Sequence, residues 1–140
     1  MQIKFKKLHP DAKIPAYAHP GDAGMDFFVL EKTVIKPGEH AAIKTGIAME
    51  IPHGCVGLFW DKSGIAIKHS IKLLGGVIDA GYRGEVLIGM INLSDVEYIF
   101  EAGHKVSQML IQKVEVPDVI EVDELSDSTR GEKGFGSTGK

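Results

Sequence analysis

Glycine and proline interrupt this sequence so often that long helices are excluded, and this limits the fold more than any other feature. Short runs rich in Val, Ile and Phe end at turn residues roughly every 8 to 12 positions. Such punctuation is typical of β-sandwiches and β-barrels. The predicted strands cover residues 3–8, 25–30, 33–36, 40–51, 55–60, 71–78, 85–92, 97–100 and 106–114, with a short last strand at 119–122. We therefore predict an all-β fold.

One segment has a helical pattern. Residues 63–68 begin with Ser63, which we predict to be an N-cap, and continue with Ile65, Ala66 and Ile67. A helix this short is not stable alone, so tertiary contacts must hold it.

Composition excludes several classes of protein. Hydrophobic residues make up 44% of the chain and charged residues 25%, which is the balance of a folded domain and not of a disordered one. Apolar stretches are far shorter than the roughly 20 residues of a membrane helix, and none follows the N-terminal lysines, so neither a membrane span nor a secretory signal is predicted. The net charge of −3 argues against a broad basic face for nucleic acid.

The metal-binding and redox residue types are sparse. The single cysteine, Cys55, cannot form an internal disulfide, which favours an intracellular, cytoplasmic setting, and we expect it to be buried in its apolar strand. The six histidines are scattered without a pair at ligand spacing, so structural zinc is not predicted.

The C-terminal stretch 126–140 differs from the rest of the chain. It carries four glycines and one large apolar residue, Phe135. The GFGSTG pattern at 134–139 matches a dinucleotide-binding motif literally but lacks the strand and helix that this motif needs. Glycine N–H groups with Ser137, Thr138 and Arg130 nevertheless suit phosphate oxygens. The alternative interpretation is a frayed terminus.

Two further segments carry functional side chains, each with an ordinary alternative. Residues 61–64 (DKSG) place a lysine and a serine at the predicted helix start, which suits an anion, although taken alone the segment is more typical of a simple cap with a solvated lysine. Residues 75–84 place Asp79 and Tyr82 at one turn between two β-rich runs. A carboxylate there can deprotonate a water and an aromatic ring can stack on a ligand, while a plain β-hairpin is the alternative.

Five segments together resemble the five motifs of the trimeric dUTPase family, in the same order and across nearly the whole chain. The matching segments are residues 23–26 (AGMD), 62–68 (KSGIAIK), 76–84 (GVIDAGYRG), 103–108 (GHKVSQ) and 130–139 (RGEKGFGSTG). The third and fifth motifs are highly specific.

The resemblance implies a jelly-roll-like distorted β-barrel and a homotrimer with shared active sites. It implies a barrel domain at 1–125 and a glycine-rich arm at 126–140 that closes a site on neighbouring chains. It also implies hydrolysis of dUTP to dUMP and pyrophosphate, assisted by Mg²⁺, with water attacking the α-phosphate. This reaction supplies dUMP for dTTP synthesis and limits uracil in DNA.

The resemblance also implies roles for individual residues. Asp79 would position and deprotonate the attacking water, Tyr82 would stack under the deoxyribose, and Asp26 would hold waters of the Mg²⁺ shell. Phe135 would cover the base. The remaining substrate-binding positions implied are Lys62, Ser63, Gly64, Gly76, Val77, Ile78, Gln108, Arg130, Gly136, Ser137 and Thr138.

The sequence departs from the family pattern at several positions. Asp61 and Lys62 stand where Pro-Arg is usual, so a point charge replaces a bidentate fork and Asp61 adds a negative charge near the phosphate site. Lys105 replaces an arginine, and Leu73 stands where some members have asparagine.

Two alternative functions use the same fold. One is a nucleotide-sensing protein without turnover, although Asp79 and the arm are both present. The other is a dCTP deaminase, whose catalytic glutamate would fall at Gly89, where there is no side chain.

Overall fold

The computed structural model describes residues 1–132 and shows ten strands and one helix in that range. The order is β1 (Lys4–Lys7), β2 (Met25–Phe28), β3 (Thr33–Ile35), β4 (His40–Glu50), β5 (Cys55–Asp61), α1 (Ser63–His69), β6 (Ile71–Leu74), β7 (Val77–Ile78), β8 (Glu85–Asn92), β9 (Tyr98–Phe100) and β10 (Lys105–Lys113).

The strands form three open sheets in which every pairing is antiparallel. The first sheet has the order β1-β4-β8-β6 and the second the order β2-β10-β5-β7, while β3 and β9 form a separate pair. The inner faces of the two larger sheets enclose one core. Phe27 and Phe59 of the second sheet meet edge to face at 4.8 Å, and Ile43 and Ile88 of the first sheet belong to the same buried cluster. The predicted all-β, jelly-roll-like fold is thereby confirmed.

The predicted helix is confirmed, but its predicted cap is wrong. The N-cap is Lys62, in extended conformation, and no side chain caps the helix. Ser63 is instead the first helical residue. None of the seven residues of α1 is fully buried, and the helix is held by the partly buried Ile65, which packs against the core, and by the contact of the His69 ring with Tyr98.

Two strand predictions are wrong. Residues 119–122 form no strand, because Val119 and Ile120 have no neighbouring strand in the described chain and are 99% and 76% exposed. The run 71–78 is one strand in the prediction but two in the structure, because Gly75 and Gly76 both adopt positive φ, where an L side chain is strained.

The segment 75–84 is not a β-hairpin, although the turn after Asp79 is present. The N–H of Tyr82 donates to the carbonyl of Asp79 at 3.1 Å. However, β7 pairs with β5 in the second sheet, whereas β8 pairs with β4 and β6 in the first. The turn therefore connects the two sheets across one end of the core. Cys55 is buried, as predicted.

Within residues 1–132, we find no helix with both the length and the apolar character needed to cross a membrane.

One buried side chain joins β8 to the small third sheet. Asn92 is completely buried and donates from Nδ2 to the carbonyls of Ile35 at 2.9 Å and Val96 at 2.7 Å. Its Oδ1 accepts from the N–H and the hydroxyl of Ser94 at 2.9 and 2.7 Å. All the polar atoms of this side chain therefore have partners.

We predict that Asn92→Ala lowers the free energy of unfolding by about 3 kcal/mol. The substitution leaves backbone groups without hydrogen-bond partners, and each such buried group costs roughly 1–3 kcal/mol. Urea unfolding monitored by circular dichroism measures the change. Ser94→Ala, which removes only a hydroxyl at the edge of the same network, serves as the control and should cost about 1 kcal/mol. A loss below that for Asn92→Ala would contradict the prediction.

Candidate active site

A buried carboxylate paired with two lysines forms the first half of the site. The side chain of Asp26 is 4% exposed, with Oδ1 at 2.5 Å from the Lys62 ammonium and Oδ2 at 2.6 Å from that of Lys105. The three groups come from β2, from the residue after β5, and from the start of β10. They therefore depend on the sheet to bring them together.

Strand register explains why Asp26 points out of the core. Its neighbours Met25 and Phe27 are core residues, and side chains alternate along a strand. Asp26 lies opposite Gln108, which lies opposite Trp60 on the other side of β10. Residues directly opposite on antiparallel strands share a face, so these three side chains form one row on the outer face of the second sheet.

Two opposing effects set the pKa of Asp26. Burial raises the pKa of this carboxyl, but the hydrogen bonds and charges of Lys105 and Lys62 more than offset it. The net result is a pKa below the ordinary value. The carboxylate is therefore ionised at neutral pH and holds both lysines in place.

A cavity of about 340 Å³ lies beside this ion-pair cluster. Its polar lining consists of Asp22, Asp26, Lys62, Lys105 and Gln108. The remaining lining residues are Ala18, Ala23 and Gly24. The lining therefore holds two ammonium groups beside two carboxylates, and the ammonium groups and the Gln108 amide can donate to phosphate oxygens.

Gln108 is held in this cavity from two sides. Its Nε2 donates to the main-chain carbonyl of Asp61 at 2.9 Å. A Cβ atom on Gly24 would lie 2.3 Å from the Gln108 amide oxygen, so a larger residue there would force the Gln108 side chain to move. The glycine of the first motif thus makes room for the glutamine of the fourth.

Neighbouring residues of the second motif stand at the edge of this region. Ser63 and Gly64 follow Lys62 directly and are exposed, but they are not among the residues that line the cavity. The carboxylate of Asp61 does not line it either, because it pairs with Lys72 and accepts the N–H of Leu73 at 2.7 Å. Lys72 on β6 therefore neutralises the negative charge of Asp61 that the sequence predicts near the phosphate site.

The second half of the site is a separate pocket of about 200 Å³. It is lined by Val77, Ile78, Asp79, Tyr82 and Leu87. The carboxylate of Asp79 is exposed and has no hydrogen bond or ion pair within residues 1–132. It is therefore available to a ligand in this pocket.

Tyr82 has a fixed position in this pocket. Its hydroxyl donates to the carbonyl of Glu85 at 2.8 Å. A Cβ atom on Gly84 would lie 2.5 Å from the same hydroxyl oxygen, whereas one on Gly81 would meet nothing within 4 Å. The ring is therefore held against the backbone of residues 84–85.

Gly76 brings β7 close to β5. Its carbonyl accepts the N–H of Phe59 at 2.8 Å. Its φ is +125°, and an added Cβ would lie 3.2 Å from both the Phe59 carbonyl oxygen and Leu73 Cδ2. This close approach explains the glycine before Val77 and Ile78.

The two halves are separate on one chain. Asp26 lies on β2 and the pocket of Asp79 borders β7, and these strands are the opposite edges of the second sheet. Three interstrand spacings place the two strands about 14 Å apart. Among the described residues, none lines both the cavity and the pocket.

The predicted residues of the arm are only partly within the structure. Arg130 is exposed, in a stretch without helix or strand. Phe135, Gly136, Ser137 and Thr138 lie outside the described residues. The predicted site also omitted Lys105, Gly24 and the anchoring role of Asp61. The sequence showed Lys105 only as a residue of the fourth motif. Its pairing with Asp26 depends on strand register, so the motif did not predict it.

The described residues provide no direct metal-binding cluster, since they include no group of three or more His, Cys, Asp or Glu side chains that could hold an ion. Each oxygen of Asp26 accepts from one lysine and has capacity for another hydrogen bond.

Comparison with known proteins is consistent with this geometry. The dUTPase family model matches residues 10–139. The chain belongs to the dUTPase family.

Two bacterial dUTPases illustrate the similarity. The chain is 48% identical over 139 residues to the deoxyuridine 5'-triphosphate nucleotidohydrolase of Clostridioides difficile, covering 98% of this chain and 97% of that protein. The protein of the same name from Clostridium tetani is 46% identical over 140 residues, with 99% and 97% covered.

Solved dUTPases share the fold. A variant of the Staphylococcus bacteriophage 80alpha dUTPase with dUpNHpp has a TM-score of 0.94 and 34% identity, with 99% of each chain covered. A dUTPase from phage phi11 of S. aureus, solved for the coordination of a structural Mg(II) ion, has a TM-score of 0.82 and 31% identity, covering 89% of this chain and 98% of that one.

We predict that Asp26 stabilises the fold in a pH-dependent way. Because its pKa is lower in the folded chain, its contribution is fully present above the unfolded pKa of about 4 and is lost as pH falls through the folded value. Urea unfolding of the wild type and Asp26→Asn at several pH values measures the difference in unfolding free energy. That difference should be constant above about pH 5 and shrink below about pH 4. A difference independent of pH would contradict the assignment.

Proposed function

We propose that this chain hydrolyses dUTP to dUMP and pyrophosphate, with the nucleoside in the Asp79 pocket and the phosphates in the Asp26 cavity. Membership of the dUTPase family supports the reaction. The observation that carries the residue assignment is the division of the surface into one pocket with an aromatic ring and a carboxylate that has no partner within residues 1–132, and one cavity with two lysines.

In the proposed reaction, the oxygen of a water attacks the α-phosphorus. The bond from that phosphorus to the oxygen bridging to the β-phosphorus breaks, and pyrophosphate leaves. Asp79 accepts the proton of the attacking water, because its carboxylate has no competing partner in the described chain.

The nucleoside half selects base and sugar. We assign the backbone of Gly76, Val77 and Ile78 to the uracil edge, supported by the close approach of β7 to the pocket. Tyr82 packs under the deoxyribose and leaves no space for a 2′-hydroxyl. Its ring is held by the hydrogen bond to Glu85.

The phosphate half neutralises the charge of the substrate. Lys62 and Gln108 line the cavity, and Ser63 and Gly64 follow at its edge. We add Lys105 to this set because its ammonium lines the same cavity. Positioning and charge neutralisation are the main requirements of phosphoryl chemistry.

We assign Mg²⁺ as the metal that assists this reaction. The solved phage phi11 relative with a structural Mg(II) ion suggests the element. If Mg²⁺ is bound, the triphosphate would provide its oxygen ligands, and Asp26 would hold water of its hydration shell by accepting hydrogen bonds. Bound Mg²⁺ would supply neutralisation of phosphate charge.

The C-terminal arm, residues 126–140, completes the site in this proposal. Arg130, Ser137 and Thr138 hold the γ-phosphate, Gly136 lets the backbone approach, and Phe135 covers the uracil. The support is the resemblance of 130–139 to the fifth family motif.

We further propose a homotrimer in which each site joins the phosphate half of one chain to the nucleoside half of another. The separation of the two halves supports this arrangement. So does the row of exposed apolar side chains at 114–125, which includes Val116 and Leu125 at 85% and 88% exposed, because such rows are commonly covered by a partner. A cytoplasmic location is consistent with the single cysteine.

A deaminase function is disfavoured by the packing of β8. A Cβ atom on Gly89 would lie 2.9 Å from the carbonyl oxygen of Leu74 on the paired strand β6. A glutamate at this position would displace β6, so the catalytic residue of that family has no place here.

We predict that Asp79→Asn reduces kcat for dUTP by at least about 100-fold, because an amide cannot accept the proton of water. Pyrophosphate release measures kcat, and titration with dUpNHpp measures binding, which should change less than about threefold. Near-normal turnover by the variant would eliminate Asp79 as the base, and an inactive wild type would overturn the proposed function.

Subunit mixing tests whether the two halves act across chains. Asp79→Asn and Asp26→Asn are each expected to be nearly inactive. Unfolding and refolding them together in equal amounts should restore about a quarter of wild-type activity, because random assembly joins two intact halves at that fraction of interfaces. Asp79→Asn refolded alone is the control. A mixture that stays inactive would show that both halves act within one chain.

A further inference from the structure

Asp61 links two parts of the chain, and the proposed nucleotide site needs both of them in fixed positions. It is the last residue of β5, in the second sheet, and its carboxylate accepts the N–H of Leu73 on β6, in the first sheet, at 2.7 Å. The same carboxylate pairs with Lys72. Only 18% of the Asp61 side chain is exposed, compared with 56% for Lys72.

The main chain of Asp61 is equally engaged. Its carbonyl accepts the Gln108 side-chain amide at 2.9 Å, and it pairs with Ser107 in the β5–β10 register. The next residue, Lys62, binds Asp26. The positions of Lys62 and Gln108, which both line the cavity, therefore depend on the backbone position of Asp61.

The segment between these anchors contacts the rest of the fold through the partly buried Ile65, which packs against the core, and through the ring of His69, which lies 4.9 Å from that of Tyr98. It contains α1, whose seven residues include no buried side chain and no side-chain cap. The link from Asp61 to Leu73 closes this segment at both ends. Without it, the end of β5 would retain the strand pairing to β10 but lose its side-chain link to β6.

We propose that Asp61 is a positioning residue for the polyphosphate, which holds Lys62 and Gln108 toward the same cavity by anchoring the end of β5 to β6. This inference rests on the proposed function, since it assumes that the cavity binds phosphate. Asp61 does not itself line the cavity. The nucleoside half is anchored upstream, because Val77 and Ile78 pair with Leu58 and Gly57.

The test compares two ligands on substituted full-length chains. Asp61→Ala should weaken dUpNHpp binding about tenfold and raise KM for dUTP by a similar factor, while dUMP binding changes less than about twofold. Asp61→Asn retains an acceptor for Leu73 N–H, so binding of dUpNHpp should stay within about threefold of wild type. Glu31→Ala, which removes the exposed Lys44–Glu31 ion pair elsewhere, is the matched control and should change neither ligand.

Each outcome decides the proposal. Unchanged dUpNHpp binding in Asp61→Ala, equal losses for dUpNHpp and dUMP, or equal losses in the Ala and Asn variants would overturn it. If Asp61→Ala does not fold, Asp61→Ser takes its place, because its shorter side chain cannot reach Leu73 N–H as the carboxylate does. A loss of about threefold or more for dUpNHpp alone supports the proposal, and no loss, or an equal loss for dUMP, overturns it. An inactive wild type would instead reject the proposed function, so the two failures are distinguishable.

Discussion

The pairing of β10 with β2 on one side and β5 on the other is the constraint on which the phosphate half depends. It sets Asp26, Gln108 and Trp60 in one row on the outer face, while Phe27, Met109 and Phe59 belong to the core. A shift of one residue in either pairing would move Asp26 into the core and a core residue to the surface. The packing of the apolar core therefore determines which side chains lie on the outer face of the sheet.

Because Asp26 is buried, the phosphate half depends on the two lysines that pair with it. A carboxylate that is 4% exposed is costly unless it is paired, and Lys62 and Lys105 meet one oxygen each. The same two ammonium groups line the cavity that we assign to phosphate. In the proposed function, the same two lysines would pair with Asp26 in the free protein and also bind the phosphates of the substrate.

Particular residues show how far sequence analysis reached. The turn at Asp79 and Tyr82 was found because a carboxylate, an aromatic ring and glycines stand close together in the chain, and local conformation decides such turns. The cap at Ser63 was wrong because Lys62 is the last extended residue and Ser63 already lies in the helix, and a residue type that favours caps does not by itself fix the first helical residue. The hairpin at 75–84 was wrong because its two strands belong to different sheets. The strand at 119–122 was wrong because a strand needs a partner, and within residues 1–132 these residues have none.

The sequence by itself determined the all-β class, the family and the residue types of the site, because turn spacing, alternation and motifs are local properties. The tertiary structure decided which of these residues meet. The contact between Asp26 and Lys105, the close approach of Gly24 to Gln108, and the anchoring of Asp61 to Leu73 all join residues far apart in the chain. Register and sheet order set such contacts, and both result from packing of the whole core.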